Sequence, residues 1–420
     1  MKQGARRSET PDQPSDHTAF AALHYRDFRL FWCGGIVSLA GTQMQQAAIA
    51  WQIYLLAHSP VALGLIGLFR VVPIIAFSLW GGVLADTIDR RRLLLITQSA
   101  LLLLSASLTV LTLTGAIGLW MIYVLTACAA TATAFDSPAR QALVPSLVPR
   151  RHLTNALSLN STGLQVALVI GPSLAGVLIA TFGVASVYLI DAITFLAVLA
   201  AVYVIRPPVV VGAAPRVSVG AAIEGLKFMR ATPIIMQLMV LDFAATFFGS
   251  ATALLPIFAR DILHVGSQGY GLLYAAPAAG AVLAGVALAF FGARIRAQGP
   301  VILVAVAAYA CFTVLFGASR AFPLSLVLLA GTGASDTVSM ILRQTVRQGL
   351  TPDALRGRMS SVNMIFFMGG PQLGELEAGF VARSFGAPFS VVLGGAGALV
   401  ATFAMAVSAR SLRDLRNIHR

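Results

Sequence analysis

Twelve stretches of this chain are each about as long as a helix must be to cross a lipid bilayer, and most follow one another almost without a break. They fall at 28–56, 61–85, 93–114, 117–137, 157–181, 185–206, 234–258, 267–292, 300–317, 321–343, 359–382 and 386–409. In hydrocarbon every backbone N–H and C=O must be satisfied within the protein, so apolar runs of this length fold as helices. Composition agrees: 58% of the 420 residues are hydrophobic and 11% are charged, whereas a soluble domain carries roughly a quarter charged residues. The expected fold class is all-α, a polytopic membrane protein of twelve transmembrane helices. The first run is long enough to tilt or to project beyond the bilayer.

A net charge of +13 could point to nucleic acid, but the basic residues form short clusters at the ends of apolar runs. Placing both termini in the cytoplasm puts 25 of the 29 on the inner side. Arg260, Arg320 and Arg383 fall outside and Arg70 falls within a helix. Cytoplasmic loops are enriched in Lys and Arg, so this asymmetry orients the chain and removes the need for a nucleic-acid partner. The expected location is the inner membrane of a bacterium.

The second half echoes the first. A shift of 203 residues matches eleven of 47 ungapped positions, among them Arg140-Gln141 with Arg343-Gln344, Asn160 with Asn363, Gly171 with Gly374, Gly176 with Gly379 and Phe182-Gly183 with Phe385-Gly386. A shift of 204 aligns Leu68, Pro73 and Gly81 with Leu272, Pro277 and Gly285. The expected organisation is a cytoplasmic tail over 1–24, a six-helix bundle over 25–206, a linker over 207–233, a second bundle over 234–409 and a tail over 410–420. Within the linker, Ser218 to Met229 carries apolar residues at helical spacing, as a short surface helix would.

Charged residues inside apolar runs are costly and are candidates for function. Asp242 and Glu375, then Asp191 and Glu377, are the candidate proton carriers, because a carboxyl group moved between wet and dry surroundings changes its proton affinity. Asp336 is equally compatible with a local pairing to Arg343. Arg70 would face a buried acid or an anionic substrate. The first helix is rich in amides and aromatics, with Gln43, Gln46, Trp51 and Gln52 as candidate cavity residues. Asn160 and Asn363 join them as repeat partners. Helix–helix hydrogen bonding is the competing reading for the amides. Gly171, Pro172, Gly176, Gly370 and Pro371 are expected to serve packing or hinge roles.

Gly81 to Arg92 joins the second and third runs by a tight charged hinge. Gly82, Asp86, Arg90 and Arg91 match the G-x-x-x-D-x-x-G-R-[RK] loop of the major facilitator superfamily, with Asp89 in place of the second glycine. Gly171-Pro172 and Gly176 are similar to the G-P-x-x-G-G motif of antiporters, with Ala175 at the first glycine of its closing pair. Phe135 to Ala142, Leu355 to Asn363 and Gly374 to Gly379 resemble the bacterial branch that includes the enterobactin exporter and macrolide efflux proteins. The resemblance covers about residues 20–410. It implies two parallel six-helix repeats that rock about a substrate site near mid-membrane. It also implies a gate at the inner face, built from Gly82, Asp86, Arg90, Arg91, Asp136 and Arg140. In that gate Asp86 would accept N–H groups at the start of the eleventh helix, and Arg90 would pair with Asp136.

The three cysteines lie at unrelated spacings and the six histidines form no ligand pattern, so neither a disulfide framework nor a metal site is expected. No nucleotide-binding loop or hydrolase constellation is found, so the chain reads as no enzyme, without a cofactor, drawing on a proton gradient. The expected function is export of a small amphiphilic molecule by proton antiport, a siderophore such as enterobactin first. Multidrug or macrolide efflux, uptake by symport and a non-transporting sensor or scaffold are the alternatives. The partners expected are the substrate, protons and lipid, with the protein acting as a monomer.

Overall fold

The computed structural model describes residues 20–87, 89–205, 226–250, 252–352 and 355–415, with side chains left undescribed at 78–87, 293, 356–358, 360–362 and 364–368. The surface helix expected at Ser218 to Met229 lies mostly outside these residues. Among the described residues there are twelve long helices and no strand. In chain order they are α1 (Arg26–Ala57), α2 (Pro60–Thr87), α3 (Arg90–Leu113), α4 (Leu119–Leu147), α5 (Leu153–Phe182) and α6 (Val184–Val204). The second set is α7 (Pro233–Phe248), α8 (Gly266–Phe291), α9 (Gln298–Ala318), α10 (Phe322–Leu350), α11 (Arg356–Phe385) and α12 (Ala387–Ser408). Ten candidate spans are long and apolar enough to cross a membrane; α1 and α11 fall short of that apolar standard. In α1 the amide run lowers the hydropathy, and in α11 the arginines and the two glutamates do.

Several helices run past the apolar segment. α4 and α10 end at Leu147 and Leu350, beyond Arg140 and Arg343. A helix leaving lipid keeps its internal hydrogen bonds, so the first charged residue ends the apolar run and not the helix. The one helix expected at 234–258 is instead broken. α7 stops at Gly249, and the chain continues through a 3-10 turn (Thr252–Leu254), a short helical piece (Leu255–Ile257) and a π turn (Phe258–Ile262). Gly249 and Pro256 disfavour a continuous helix, and a side chain of α9 packs at the break. The Tyr309 ring sits where a Gly249 side chain would be, with a Cβ there only 2.3 Å from the ring, and its hydroxyl donates to the Gly249 carbonyl at 2.9 Å.

The packing repeats with an offset of six helices. α1 packs on α5 and α6, α3 on α4 and α6, and α2 on α4. Correspondingly α7 packs on α11 and α12, α9 on α10 and α12, and α8 on α10. Single glycines make the matching hairpins between α5 and α6 and between α11 and α12. Gly183 has φ 80° and ψ 172°, and Gly386 has φ 87° and ψ 155°. That region is open in practice to glycine alone, which explains why Phe182-Gly183 returns as Phe385-Gly386.

The halves meet where α2 crosses α11 and where α5 crosses α8. Because successive helices alternate in direction, α1 begins and α12 ends at one face, here the terminal face; the opposite one is the distal face. On the distal side one apolar cluster runs through both halves, from Ile53 and Tyr188 to Phe258, Tyr270 and Phe316. Toward the terminal face the core divides. Leu94, Leu143 and Val198 belong to a cluster of the first half, and Leu241, Ile302 and Val306 to one of the second.

Candidate translocation site

Both inter-half crossings are glycine on glycine at their distal ends. A Cβ on Gly64 would lie 3.2 Å from the Gly379 Cα, and one on Gly176 would lie 2.9 Å from the Gly271 Cα. Gly176 and Gly379, paired by the repeat, thus occupy equivalent contacts. Beside these crossings and out to the distal face the halves are also tied by side chains. Trp51 stacks on Tyr270 with centroids 5.1 Å apart, and the Tyr270 hydroxyl donates to the Ala47 carbonyl at 2.9 Å. The Tyr54 hydroxyl donates to Asp261, and Arg260 approaches His58 at 3.4 Å. Each of these contacts joins α1 or its end to the second half. Together they seal the distal face.

A hydrogen bond to a charged group is worth about 1.5–3 kcal/mol. Replacing Tyr54 by Phe is therefore expected to loosen the distal seal about tenfold or more, read as greater labelling of a cysteine placed at His58 by a membrane-impermeant maleimide. Unchanged labelling would mean that the tyrosine does not hold the seal.

Below the seal a cavity of about 620 Å³ extends toward the terminal face. Its described lining comes from the first half, from Arg70, Ile49 and Thr126 at its distal end to Phe31, Arg140 and Asn160 near the terminal end. Its volume is that of a site for a drug-sized molecule. The wall is mostly apolar, with amides and hydroxyls set into it. Two arginines, Arg70 and Arg140, and one acid, Asp136, supply its described charges.

Asp136 is buried and accepts from Thr97 Oγ1 (2.8 Å), Gln98 Nε2 (2.7 Å) and Arg140 Nε (3.2 Å). Arg140 also lies over the Phe31 ring, 5.6 Å from its centroid. The expected Arg90–Asp136 pair is not formed. Arg90 donates to the Ala142 carbonyl at 3.1 Å, while Arg91 donates to the carbonyls of Val202 and Tyr203. Arg91 therefore satisfies the end of α6 while Arg90 reaches the last turns of α4, and Asp136 draws its cation from the next turn of its own helix. Asp89 caps α3 through the Arg91 N–H at 2.9 Å. Gly82 and Asp86 fall in the last turns of α2, where the side chains lie outside those described.

Of the cavity candidates, Gln46, Arg70 and Asn160 line the space. Gln52 is turned away, donating to Thr112 Oγ1 at 3.1 Å and accepting from Tyr188 at 2.7 Å. Gln43 is buried against Gly171, Trp51 belongs to the distal seal, and Asn363 accepts from Arg347. Gly171 fits α5 closely onto α1, and Pro172 offers its carbonyl to the Gly271 contact. Gly370 abuts Thr246, and the Pro371 carbonyl accepts from Ser250 at 3.0 Å, so both bring α11 onto the end of α7.

The four candidate acids have different surroundings. Asp191 is 0% exposed; its Oδ2 accepts from Ser105 at 2.8 Å, and its Oδ1 is unpartnered against Gly41. Asp242 forms a 2.7 Å ion pair with Arg343. Glu375 reaches from α11 to α2, its Oε2 3.1 Å from where a Gly67 Cβ would stand. With Gln46, Arg70 and Tyr274 it encloses a space of about 20 Å³ between the halves, enough for one water. Glu377 sits two residues on, about 200° around the same helix.

Sequence reasoning missed the distal seal, yet a signal was present. Arg260 is one of only three basic residues on the side that should lack them, and Asp261 follows it. A charge placed against the topological trend had a local reason.

Comparison with known proteins decides the family. The sequence profile of the transmembrane secretion effector family of the major facilitator superfamily matches residues 17–417. The chain belongs to that family. It is 27% identical over 340 residues to the enterobactin exporter EntS of Citrobacter koseri (strain ATCC BAA-895 / CDC 4225-83 / SGSC4696), covering 80% of each chain. It is 34% identical over 173 residues to the staphyloferrin A transporter of Staphylococcus aureus (strain NCTC 8325 / PS 47), a match spanning 41% of this chain and 44% of that protein. Among solved structures, the nucleoside transporter NupG superposes with a TM-score of 0.74 at 10% identity, over 92% of this chain and 100% of that one. A bacterial homologue of the iron transporter ferroportin, in its inward-facing state, gives 0.67 at 16%, over 92% and 99%. The chain is thus a membrane transporter of the major facilitator fold and not an enzyme.

Proposed function

We propose that this family member exports an iron-free siderophore or a closely similar polar organic acid from the cytoplasm, in exchange for protons. The observation that carries the reading is the cavity: sealed at the distal face, extending toward the terminal face, and lined by amides, hydroxyls and Arg70. The basic-residue asymmetry supports a cytoplasmic terminal face. The loading side of an exporter is then the side toward which this cavity extends. The chain's relatives include transporters of enterobactin and staphyloferrin A, which supports the substrate class. Two arginines against one acid in the described lining favour an anionic or polyphenolic cargo over a cationic drug.

Transport would follow alternating access, with the α2–α11 and α5–α8 crossings opening at the distal face as the terminal side closes. Arg70 sits at the deep end of the cavity and faces Glu375 and Tyr274 of the other half. A substrate acid reaching Arg70 contacts the place where the halves meet, so occupancy can bias their position.

The test is uptake of radiolabelled iron-free enterobactin and of staphyloferrin A into inside-out vesicles under an imposed pH gradient, acid inside. Gradient-stimulated accumulation of either is expected. Accumulation of neither, with the gradient intact, would refute siderophore export. Arg70→Gln is expected to weaken binding of the transported compound by about tenfold or more, the worth of a charged hydrogen bond. Unaltered affinity would remove Arg70 from the binding site.

A further inference from the structure

Two acids compete for one cation in the second half. Arg343 Nη2 lies 2.7 Å from Asp242 Oδ1 and 3.7 Å from Asp336 Oδ1. The shorter contact makes Asp242 the resident partner. Arg343 Nη1 is buried without a hydrogen-bond partner. The next cation on α10, Arg347, is engaged by Asn363 of α11. Tyr309 of α9 stands near both acids, but its hydroxyl is committed to the Gly249 carbonyl. Among the described residues, the charged and titratable groups around Asp336 are Asp242 from α7, Tyr309 from α9 and Arg343 from its own helix, with Arg347 beyond them near Asp242 and Arg343.

The two acids also differ in access. The side chain of Asp242 is 15% accessible and that of Arg343 7%, while that of Asp336 is 45%. The repeat indicates what Asp336 is open to. A shift of 203 carries Thr133 onto Asp336 and Arg140 onto Arg343. Thr133 and Arg140 both line the cavity from α4. By the same symmetry α10 turns the Asp336 face toward the cleft between the halves. Asp336 is seven residues, about 10 Å of helix, inside Arg343, where the apolar run ends. It combines depth with access to water, and a loosely held carboxylate with a nearby cation.

We propose that Asp336 is the carboxylate at which a proton is exchanged for substrate, an inference that rests on the antiport reading above. With the cavity open to the terminal face, the ionised carboxylate accepts a hydrogen bond from a substrate O–H. A phenol holds its proton at neutral pH, with a pKa of about 10. After the halves rock and the substrate leaves, a proton from the distal side binds the carboxylate. On return to the terminal face that O–H bond breaks, the proton enters the cytoplasm, and the next substrate takes its place. One proton enters for each molecule exported. A protonated Asp336 has lost the charge that makes it a strong acceptor, so proton and substrate exclude one another as antiport requires. Asp242 remains the fixed counter-charge that holds Arg343.

The test uses the full chain in inside-out vesicles with radiolabelled iron-free enterobactin, comparing gradient-driven uptake with counterflow in the absence of a gradient. In Asp336→Asn, gradient stimulation should disappear and counterflow should lose its dependence on pH. Counterflow itself should persist but fall about tenfold or more, the worth of a charged hydrogen bond. Asp336→Glu should restore the gradient response. Stimulation of Asp336→Asn equal to wild type would overturn the assignment and leave the antiport reading standing. Loss of both modes in the Asn and Glu variants alike would overturn it in favour of a structural role. Wild-type transport indifferent to the gradient would overturn antiport and this assignment together.

Discussion

Replacing Gly176 by leucine is expected to cut transport at least about a hundredfold in a protein that still inserts and folds. The glycine lies where α5 crosses α8, and a Cβ there would stand 2.6 Å from the Ser267 carbonyl oxygen and 2.9 Å from the Gly271 Cα. Both neighbours are backbone, so no side chain can swing aside. Extra carbon in a close-packed contact costs about 1–3 kcal/mol, and a four-carbon side chain belongs at the upper end. Toward the terminal face each half keeps its own core, so the strain falls on the distal contact and shifts the population away from the sealed form. About 3 kcal/mol corresponds to roughly a hundredfold or more. Uptake measures the loss, and the spacing of a spin-label pair at positions 58 and 260 measures the shift. Gly285→Leu is the control. Beyond the backbone of its own helix, no atom of the described residues lies within 4 Å of a Cβ built there, so that variant should transport normally. Normal transport by Gly176→Leu, with an unchanged spin-label distance, would mean that the crossing is not under this constraint.

The same glycines show what a reader of the sequence could and could not see. Gly176 and Gly379 were legible as a repeated pair, and their role as the points where the halves touch follows from that symmetry. Gly183 and Gly386 were legible for the same reason, since a one-residue hairpin leaves little choice of residue. Asp136 stood out through the resemblance as a gate acid, but its cation did not. Helical spacing offers Arg140 four residues on, whereas the resemblance pointed to Arg90, and the local pair formed. The break in α7 was half legible: Gly249 and Pro256 disfavour a helix from within the run, whereas Tyr309, which packs on Gly249, lies 60 residues away in the chain. The α1 amides looked alike from sequence, yet Gln46 reaches the cavity while Gln52 spends its amide on Thr112 and Tyr188. A helix period assigns a face. Which neighbour covers that face is decided by the packing of six helices at once.

The second large effect is expected at Arg343. Arg343→Met leaves Asp242 buried beside an apolar side chain, and removing one partner of a buried pair costs about 3–5 kcal/mol. The thermal unfolding midpoint in detergent should fall sharply. The double variant Arg343→Met, Asp242→Leu takes the charge away from both sides, and such replacements are commonly neutral or stabilising. Its midpoint should therefore return to near that of wild type. Transport should not return, because Asp336 has then lost the nearby cation that favours its ionised form. Recovery of stability without recovery of transport would separate the two duties of the cluster. Asp242 and Arg343 form a pair whose loss can be compensated by packing, whereas the Arg343–Asp336 contact has no apolar substitute. Recovery of both in the double variant would show that the whole cluster serves only to hold α7 against α10.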